Sequence, residues 1–355
     1  MRTVRDFDLA LGVDLSATNT TVLLGNSDGH VYSLRRSKTD KGAPESPIRN
    51  AIRLSHQCLD EEGLSYDDIK GVGVSCLGPY DDETGSIVGT PNIDFDVVPV
   101  RDPIKEEFGD IPFVRGGDCF GAVHAEYDFG EFEGVDDLGY ITISTGIGGG
   151  FIVDGKAKKG KNGDAGHVGH FTVNPLPTAR RCGCVDENGN QRKGHWEAYC
   201  SGTAVAEQVQ ELFWTGKEYY DSILEGRVKI ENTDLSMIMD ATKRRLGKRP
   251  SVEDIRAEDL YQAVNDGVLG APRQLVRDIN YYNTIGVANA TDSDDLEVIV
   301  FGGSMMNDSD LILPYVREHL TEHAILKPPK LAVTNLGSKN VALGGLAMLK
   351  HYKGE

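Results

Sequence analysis

Two similar strand–turn–strand units constrain the fold of this chain more than any other feature of its sequence. The first spans residues 9–24 and has a turn of small polar residues at 15–19 between two apolar strands. The second spans 139–153, has a turn of Ser, Thr and Gly at 144–148, and is followed by an Asp-Gly hairpin signal. A third strand is predicted after each unit, over 30–35 and over 156–159. This repetition predicts two related lobes that face one ligand, while two unrelated hairpins are the alternative.

Helices and strands alternate over the rest of the chain, which is typical of an α/β protein. Helices are predicted over 47–59, 118–127 and 340–352, and most of the segment 196–290 has helical spacing. Strands are predicted over 69–75, 113–115 and 296–301. Within the helical block, the polar and charged segment 215–249 is interpreted as an insertion.

The composition disfavours several classes of function. Lys and Arg number 37 against 55 Asp and Glu, so the formal net charge of −18 argues against a nucleic-acid partner. No apolar run in the sequence approaches the length of a membrane span, and no apolar signal core precedes the first strand. We therefore expect a folded cytoplasmic protein that does not engage a membrane. Its six cysteines are expected to be thiols or metal ligands rather than a disulfide framework.

The first turn has the groups that bind phosphate. Glycine and small residues let the backbone approach a ligand, and glycine makes up 42 of the 355 residues, about 12% against a usual share of about 7%. In the turn after the first strand, main-chain N–H groups and the hydroxyls of Ser16 and Thr18 could cradle phosphate oxygens. Asp14 could hold Mg²⁺, which prefers one or two carboxylates together with phosphates. An ordinary turn would carry the same residues.

The second turn, 144–150, is a sharper candidate because glycines occupy four of its seven positions. It lacks the G-x-G-x-x-G spacing of a dinucleotide site and the Lys of a P-loop. A bulged hairpin selected for its geometry is the alternative. Between the two units, Asp118 follows a short strand and opens a helix, where it could be a general base or only an N-cap.

Six candidate metal ligands lie within the 34 residues from His167 to Cys200. Among them, His170, Cys182, Cys184 and His195 form a plausible Cys₂His₂ set, which is typical of a closed structural zinc site. Scattered thiols and surface imidazoles are the alternative. The clustering favours a metal site.

These motifs, in this order, resemble the ROK family of sugar kinases, which belongs to the actin, hexokinase and Hsp70 superfold. The resemblance implies an α/β, two-lobed actin-like ATPase (ribonuclease H-like) fold with duplicated lobes and an interlobe active site. The implied lobes are 1–116 plus about 338–355, and 117–337. The residues implied to bind the nucleotide are Asp14, Ser16, Thr18, Asn19, Thr145, Gly146, Gly148, Gly302 and Gly303. The implied cofactors and substrates are ATP, Mg²⁺, a structural Zn²⁺ and a sugar.

The same resemblance implies that Asp118 is the catalytic base. The residues implied to contact the sugar are Asn92, Asp118, His167, His170 and Glu197. Three positions depart from the family pattern. Gly117 stands where the family has Asn, His167 where it has Glu, and His195 where it has the third Cys of its zinc motif.

The activity implied is transfer of the γ-phosphoryl group of ATP to a hexose, with glucose as the expected acceptor and a homodimer as the usual assembly. The runner-up is an N-acylamino-sugar kinase acting on N-acetylmannosamine or N-acetylglucosamine. A catalytically silent sugar-sensing protein and an actin-like filament protein are alternatives from other classes. The DNA-binding domain of family repressors is not expected, because few residues precede the first strand.

Overall fold

The computed structural model describes residues 7–90, 93–161, 163–214, 220–222, 226–228 and 230–352. Its strands are β1 Ala10–Leu15, β2 Asn19–Gly25, β3 Val31–Lys38, β4 Val72–Cys76, β5 Tyr80–Asp81, β6 Ser86–Val88, β7 Val97–Pro99, β8 Phe113–Gly117, β9 Leu138–Ile143, β10 Ile147–Val153, β11 Lys156–Ala157, β12 Arg181–Val185, β13 Gln191–Lys193, β14 Tyr220–Ser222, β15 Gly226–Val228, β16 Val298–Gly302 and β17 Lys330–Val333. Its helices are α1 Ser46–Glu62, α2 Arg101–Phe108, α3 Asp118–Phe129, α4 Glu197–Cys200, α5 Gly202–Trp214, α6 Asn232–Leu246, α7 Ala257–Asn265, α8 Gly270–Asp294, α9 Ser309–His319 and α10 Asn340–Lys350.

The first sheet has the strand order β3-β2-β1-β4-β8. β1, β2 and β3 pair antiparallel as consecutive strands, whereas β4 and β8 run parallel to β1. β1 is buried along its whole length, which explains its continuous apolar sequence, since a parallel strand covered on both faces needs no polar side. Because β1, β4 and β8 are parallel, their carboxyl ends lie at one edge of the sheet, where α/β proteins bind ligands.

The second sheet repeats this order as β11-β10-β9-β16-β17. Three strands that are consecutive in the chain are again followed by a pair of parallel strands, β16 and β17. The same succession in both sheets confirms the duplicated unit predicted from the two turns. It excludes two unrelated hairpins as the explanation.

The chain divides into two compact units. Unit 1 comprises residues 1–140, 150–166 and 334–355, and unit 2 comprises 141–149 and 167–333. Unit 1 therefore includes α3, which the sequence assigned to the second lobe. The reason lies in packing: a Cβ atom on Gly344 of α10 would lie 2.3 Å from the Gly121 carbonyl of α3, so glycines let these helices meet at backbone distance. The lobe boundaries predicted from the sequence stay a prediction.

The remaining expectations of secondary structure are reproduced with small shifts at the ends. α1, α3 and α10 cover the predicted helices, and β4, β8 and β16 cover the predicted strands. The segment 215–249 is only partly within the described residues, where it contains α6. In the described part of the chain, every helix is too short or too polar to cross a membrane.

Candidate active site

The first turn is held in place by a threonine from beyond β3. The Ser16 hydroxyl donates to Oδ1 of Asp14, which closes the turn on the last buried residues of β1. Thr39 donates its hydroxyl to the Ser16 carbonyl at 2.6 Å, and its N–H bonds to the Thr18 carbonyl at 3.1 Å. Thr18 itself is exposed, so the outer surface of the turn is free to meet a ligand.

Asp14 is a buried carboxylate among hydroxyl groups. Its partners in register are Thr21 on β2 and Ser75 on β4, and side chains paired in register lie on the same face of a sheet. Both hydroxyl oxygens are buried without a hydrogen-bond partner among the described residues. Burial raises the pKa of Asp14 to about 7, opposed by the hydrogen bond from Ser16 and assisted by the charge of Asp118. A buried acid flanked by unpaired hydroxyls fits a site that gains partners when an ion or phosphate binds.

Asp118 is the first residue of α3 and directly follows β8. Gly117 occupies the N-cap position, so Asp118 is not the N-cap that the sequence offered as the alternative to a base. The side chain is exposed, and its Oδ1 accepts the N–H of Cys119 at 2.7 Å. Its charge contributes to the raised pKa of Asp14, which means that unit 1 holds two carboxylates close enough to interact.

Gly117, which replaces the family's Asn, has an ordinary β-region conformation with φ −62° and ψ 158°. A Cβ atom added there would meet nothing within 4 Å among the described residues. The structure therefore has room for a Cβ atom at position 117, although the sequence has glycine there.

The second turn is also held by a threonine, this time from the start of α5. The N–H of Ser144 bonds to the Gly146 carbonyl at 2.8 Å, which tightens the turn between β9 and β10. Thr203 donates its hydroxyl to the Thr145 carbonyl at 2.9 Å, and the N–H of Gly202 bonds to the Ser144 carbonyl at 2.7 Å. The carbonyls are thus directed into unit 2, while Thr145 itself is exposed.

Glu197 connects this turn to the cysteine and histidine cluster. Its Oε2 accepts the N–H of Ile147 at 3.0 Å, and its Oε1 lies 3.8 Å from the Cys182 sulfur. A Cβ atom on Gly146 would lie 2.6 Å from the same Oε2, so this position needs glycine for the carboxylate to reach the backbone. Any ligand that contacts Glu197 therefore contacts a group that already supports the second turn.

Gly302 and Gly303 are predicted on the nucleotide side; Gly302 ends β16 in unit 2, and Gly303 directly follows it. Gly303 has φ +91°, and a Cβ atom there would lie 2.3 Å from the Ile143 carbonyl of β9. A residue with a side chain would be strained in its backbone and would clash with its neighbour, which explains the glycine.

The four predicted zinc ligands lie together in unit 2. One ligand atom from each of His170, Cys182, Cys184 and His195 lies within 4.8 Å of the others. Nδ1 of His170 is 3.7 Å from the Cys182 sulfur, and Nδ1 of His195 is 3.3 Å from the Cys184 sulfur. Tetrahedral zinc with ordinary Zn–S and Zn–N bonds separates its ligands by about 3.4–3.8 Å, so these residues fit the ion.

Local structure explains why the four ligands converge. Cys182 and Cys184 are two apart on β12, where the pairing with β13 is irregular, and both of their sulfurs lie in the cluster. His195 pairs as an isolated bridge with Thr172, which brings it beside the short helical turn that ends at His170. Burial raises the pKa of Cys182 to about 12, so this sulfur is a protonated thiol unless a metal ion favours the thiolate.

Trp196 fixes the chain between His195 and Glu197. Its side chain is completely buried, and its indole N–H donates to Asn283 of α8 at 2.8 Å. A Cβ atom on Gly286 of α8 would lie 2.2 Å from the ring, so this glycine lets the indole lie against the helix. His195 and Glu197, on either side of it, are therefore held by the core of unit 2.

The other predicted residues can now be located. Asn19 is the first residue of β2, next to the first turn, and Gly148 is part of β10. His167 is exposed, with its ring centroid 5.9 Å from that of His170, which is also exposed. Asn92 lies outside the described residues.

Thr39 and Thr203 were missed by sequence reasoning, although each holds one of the two turns. Thr203 lies in Ser-Gly-Thr at a helix start, a small-residue signal that could have drawn attention to it. Thr39 has no comparable signal, because it only meets the first turn after β2 and β3 have paired.

The sequence matches a known protein family over nearly its whole length. The ROK family profile matches residues 10–351. A glucokinase from Aeropyrum pernix is 32% identical over 270 residues, which are 74% of this chain and 74% of that protein. A glucokinase from Pyrobaculum calidifontis is 28% identical over 341 residues, covering 95% of this chain and 94% of that protein.

A solved structure matches the fold. The ROK family glucokinase from Streptomyces griseus, in complex with glucose and AMPPNP, has a TM-score of 0.73 at 22% identity. The match covers 97% of this chain and 100% of that chain. The fold is therefore that of the actin-like ATPases, as the repeated sheets indicate, and the sequence match over nearly the whole chain shows that the protein belongs to the ROK family.

Proposed function

We propose that this protein is an ATP-dependent hexose kinase that transfers the γ-phosphoryl group of ATP to glucose. The observation that carries the proposal is a pair of acids in unit 1 at the carboxyl ends of the parallel strands β1 and β8, the buried Asp14 and the exposed Asp118. The exposed Asp118 can reach a substrate, while Asp14 lies beside the first turn. The similarity to glucokinases supports the sugar class and the reaction.

Asp118 is the general base of the proposed reaction. Its carboxylate accepts the proton of the sugar hydroxyl, which we assign to C6, as that oxygen forms a bond to the γ-phosphorus of ATP. The bond between the γ-phosphorus and the bridging oxygen breaks at the same time, and ADP leaves with the electron pair. The hydrogen bond from the Cys119 N–H orients the carboxylate without occupying both of its oxygens.

The two turns bind the nucleotide in this proposal. Main-chain N–H groups and the hydroxyls of Ser16, Thr18 and Thr145 are suited to phosphate oxygens, and Asn19 and Gly148 border the same turns. The exposed backbone of Gly303, which follows the buried Gly302, is assigned to the adenosine part. Asp14 would hold the Mg²⁺ of the nucleotide, and this ion supplies charge neutralisation at the phosphates.

The sugar contacts are assigned to Asn92, Asp118, His167, His170 and Glu197. The bond between Glu197 and the Ile147 N–H supports this assignment, because it holds one carboxylate oxygen and leaves the other to interact elsewhere. His170, Cys182, Cys184 and His195 would hold the structural Zn²⁺, which supplies a rigid cross-link between their loops.

A coupled assay of ADP release tests the proposed activity. The purified chain is supplied with ATP, Mg²⁺ and a panel containing glucose, mannose, N-acetylglucosamine and N-acetylmannosamine. Glucose should have the highest kcat/KM, and the Asp118→Asn variant is the matched inactive control. A preference for an N-acylated sugar would show that the protein is an N-acylamino-sugar kinase rather than a glucose kinase. No turnover with any sugar would favour a catalytically silent sugar-sensing protein.

The homodimer and the cytoplasmic location stay predictions. Light scattering coupled to size-exclusion chromatography measures the mass of the assembly directly. A mass near 77 kDa, twice the 38.6 kDa of one chain, would support the dimer.

A further inference from the structure

A second group of metal-binding side chains lies in unit 1, separate from the cysteine cluster. One ligand atom of each of His124, Asp128 and His351 lies within 4.8 Å of those of the other two. His124 and Asp128 are four residues apart on α3 and therefore share one face of the helix. His351 directly follows α10, the helix that packs along α3.

His124 is the unusual member of this group. The residue is 8% exposed, and its Nδ1 is buried with no hydrogen-bond partner among the described residues. Leaving a buried ring nitrogen unpaired costs stability, so such an atom needs an explanation. Burial and the nearby His351 lower the pKa of His124 to about 4, which leaves the ring neutral, the form that binds metals.

The other two members are preassembled. Nε2 of His351 lies 2.9 Å from Oδ2 of Asp128, and the His124 and His351 ring centroids are 5.4 Å apart. Lys350 is the neighbouring positive charge, with its Nζ 3.4 Å from Oδ1 of Asp128. Asp128 and Lys350 also line a surface cavity of about 390 Å³, through which an ion could enter.

We propose that His124, Asp128 and His351 bind a divalent transition-metal ion that cross-links α3 to the end of α10. Two imidazoles and one carboxylate suit Zn²⁺ and its neighbours in the first transition series, with the remaining coordination positions left to water. The site lies on the last two turns of α3, roughly 9–15 Å along the helix from Asp118, so it stabilises the C-terminal helix and does not take part in phosphoryl transfer.

Zn²⁺ titration of the chelator-treated full chain tests the proposal. Calorimetry should find about two sites in the wild type, one at the cysteine cluster and one here. His351→Asn and Asp128→Asn should each lose one of them or weaken it at least about tenfold. His351 is exposed, so the first of these variants is expected to fold. His30→Asn, at another exposed histidine of unit 1, is the matched control and should bind as the wild type does.

Cys184→Ser separates the two sites. It should lose the cysteine site and keep the one that depends on His351. If the wild type binds about one ion and His351→Asn binds none, the site stands and only the cysteine cluster fails. Equal stoichiometry and affinity in the wild type, His351→Asn and Asp128→Asn would overturn the proposal. A loss of thermal stability in His351→Asn that is the same with and without Zn²⁺, with unchanged binding, would reduce the group to an ordinary ion pair.

Discussion

The two strand–turn–strand units share a backbone plan but differ in chemistry. In each, a threonine hydroxyl from a later segment holds a turn carbonyl, Thr39 in unit 1 and Thr203 in unit 2. The first turn carries its own carboxylate, Asp14, which is buried with a raised pKa. The second has Thr142 at the corresponding place, one residue before the end of β9, and the carboxylate that bonds to its turn belongs to Glu197, 50 residues beyond Ile147.

This comparison shows that the two units share the shape of their turns, but the carboxylate near each turn comes from a different part of the chain. Unit 1 supplies acids at the ends of parallel strands, where the sheet positions them. Unit 2 supplies main-chain groups at its turn, and its acid is Glu197, the first residue of α4, whose Oε1 lies 3.8 Å from the Cys182 sulfur of the cysteine and histidine cluster. The variants below test the acids of unit 1 and the acid of unit 2 separately.

The largest effect is expected from the exposed acid of unit 1. Asp118→Asn keeps the size of the side chain but removes the proton acceptor, so kcat should fall by about 10²–10⁴-fold. The affinity for glucose should change little, since the amide can still hydrogen-bond. Steady-state kinetics and calorimetric sugar binding measure the two quantities. Asp110→Asn, at an exposed acid of the same unit, should behave as the wild type, and a kcat within tenfold of wild type for Asp118→Asn would contradict the base role.

The next largest effect is expected from the metal cluster of unit 2. Cys184→Ser should lower the zinc content by about one ion per chain, because serine is a poor zinc ligand. The segment that begins α4 at Glu197 should become more mobile, and kcat/KM should fall by about 10–100-fold. Elemental analysis and the coupled assay test both. Val185→Ser changes the adjacent exposed residue of β12 and serves as the control. Unchanged zinc content would contradict the ligand assignment.

Gly146→Ala tests whether the second turn depends on the carboxylate of Glu197. The new Cβ would lie 2.6 Å from Oε2 of Glu197, so the carboxylate must move away from the Ile147 N–H. We expect kcat/KM for MgATP to fall by roughly tenfold, which corresponds to the loss of about one charge-assisted hydrogen bond. Gly183→Ala is a control, because a Cβ there meets nothing within 4 Å among the described residues. Equal kinetics in both variants would show that the contact is dispensable.

Asp14 should make the stability of unit 1 depend on pH. Its pKa of about 7 lies above its unfolded value of 3.8, so the folded chain holds this proton more tightly. The resulting stabilisation is present at low pH and is lost as the pH rises through about 7. In the absence of nucleotide and Mg²⁺, Asp14→Asn should therefore be more stable than the wild type at pH 8 by about 1–3 kcal/mol, and the difference should shrink at pH 5.

Urea unfolding of both proteins at the two pH values measures this difference. Catalysis should show the opposite preference, since the ionised acid is the form that holds a cation, so activity should rise through pH 7. Thr18→Ala, in the same turn but without an acid, is the control. A wild type whose stability does not depend on this acid between pH 5 and pH 8 would contradict the raised pKa.

The smallest effect is expected at Gly117, where unit 1 has no side chain. Gly117→Asn introduces an amide into open space, so it should be tolerated and should slightly favour the start of α3. If the added amide reaches the sugar, the KM for glucose should fall by about 2–10-fold, the value of one hydrogen bond. Gly117→Ala separates the amide from the backbone effect. A KM that is unchanged in Gly117→Asn would show that this position does not face the sugar.

Much of the fold could be predicted because its signals are local. The apolar runs of β1, β9 and β16 are continuous in sequence, and the spacing of Cys182 and Cys184 needs only the alternation of a strand. The contacts made by Thr39 and Glu197 could not be predicted in this way. Each joins segments that are separated by more than 20 residues and become neighbours only after the sheets form.

The sequence by itself determined the repeated units and the acids at strand ends, and it predicted the four candidate zinc ligands, since each depends on residue type at short spacing. Only the tertiary structure decided which of these groups are buried, and burial controls their chemistry. It raises the pKa values of Asp14 and Cys182, and it leaves a ring nitrogen of His124 without a partner among the described residues. The reason is physical: an ionised group loses water when the chain folds around it, and that loss depends on every neighbour at once.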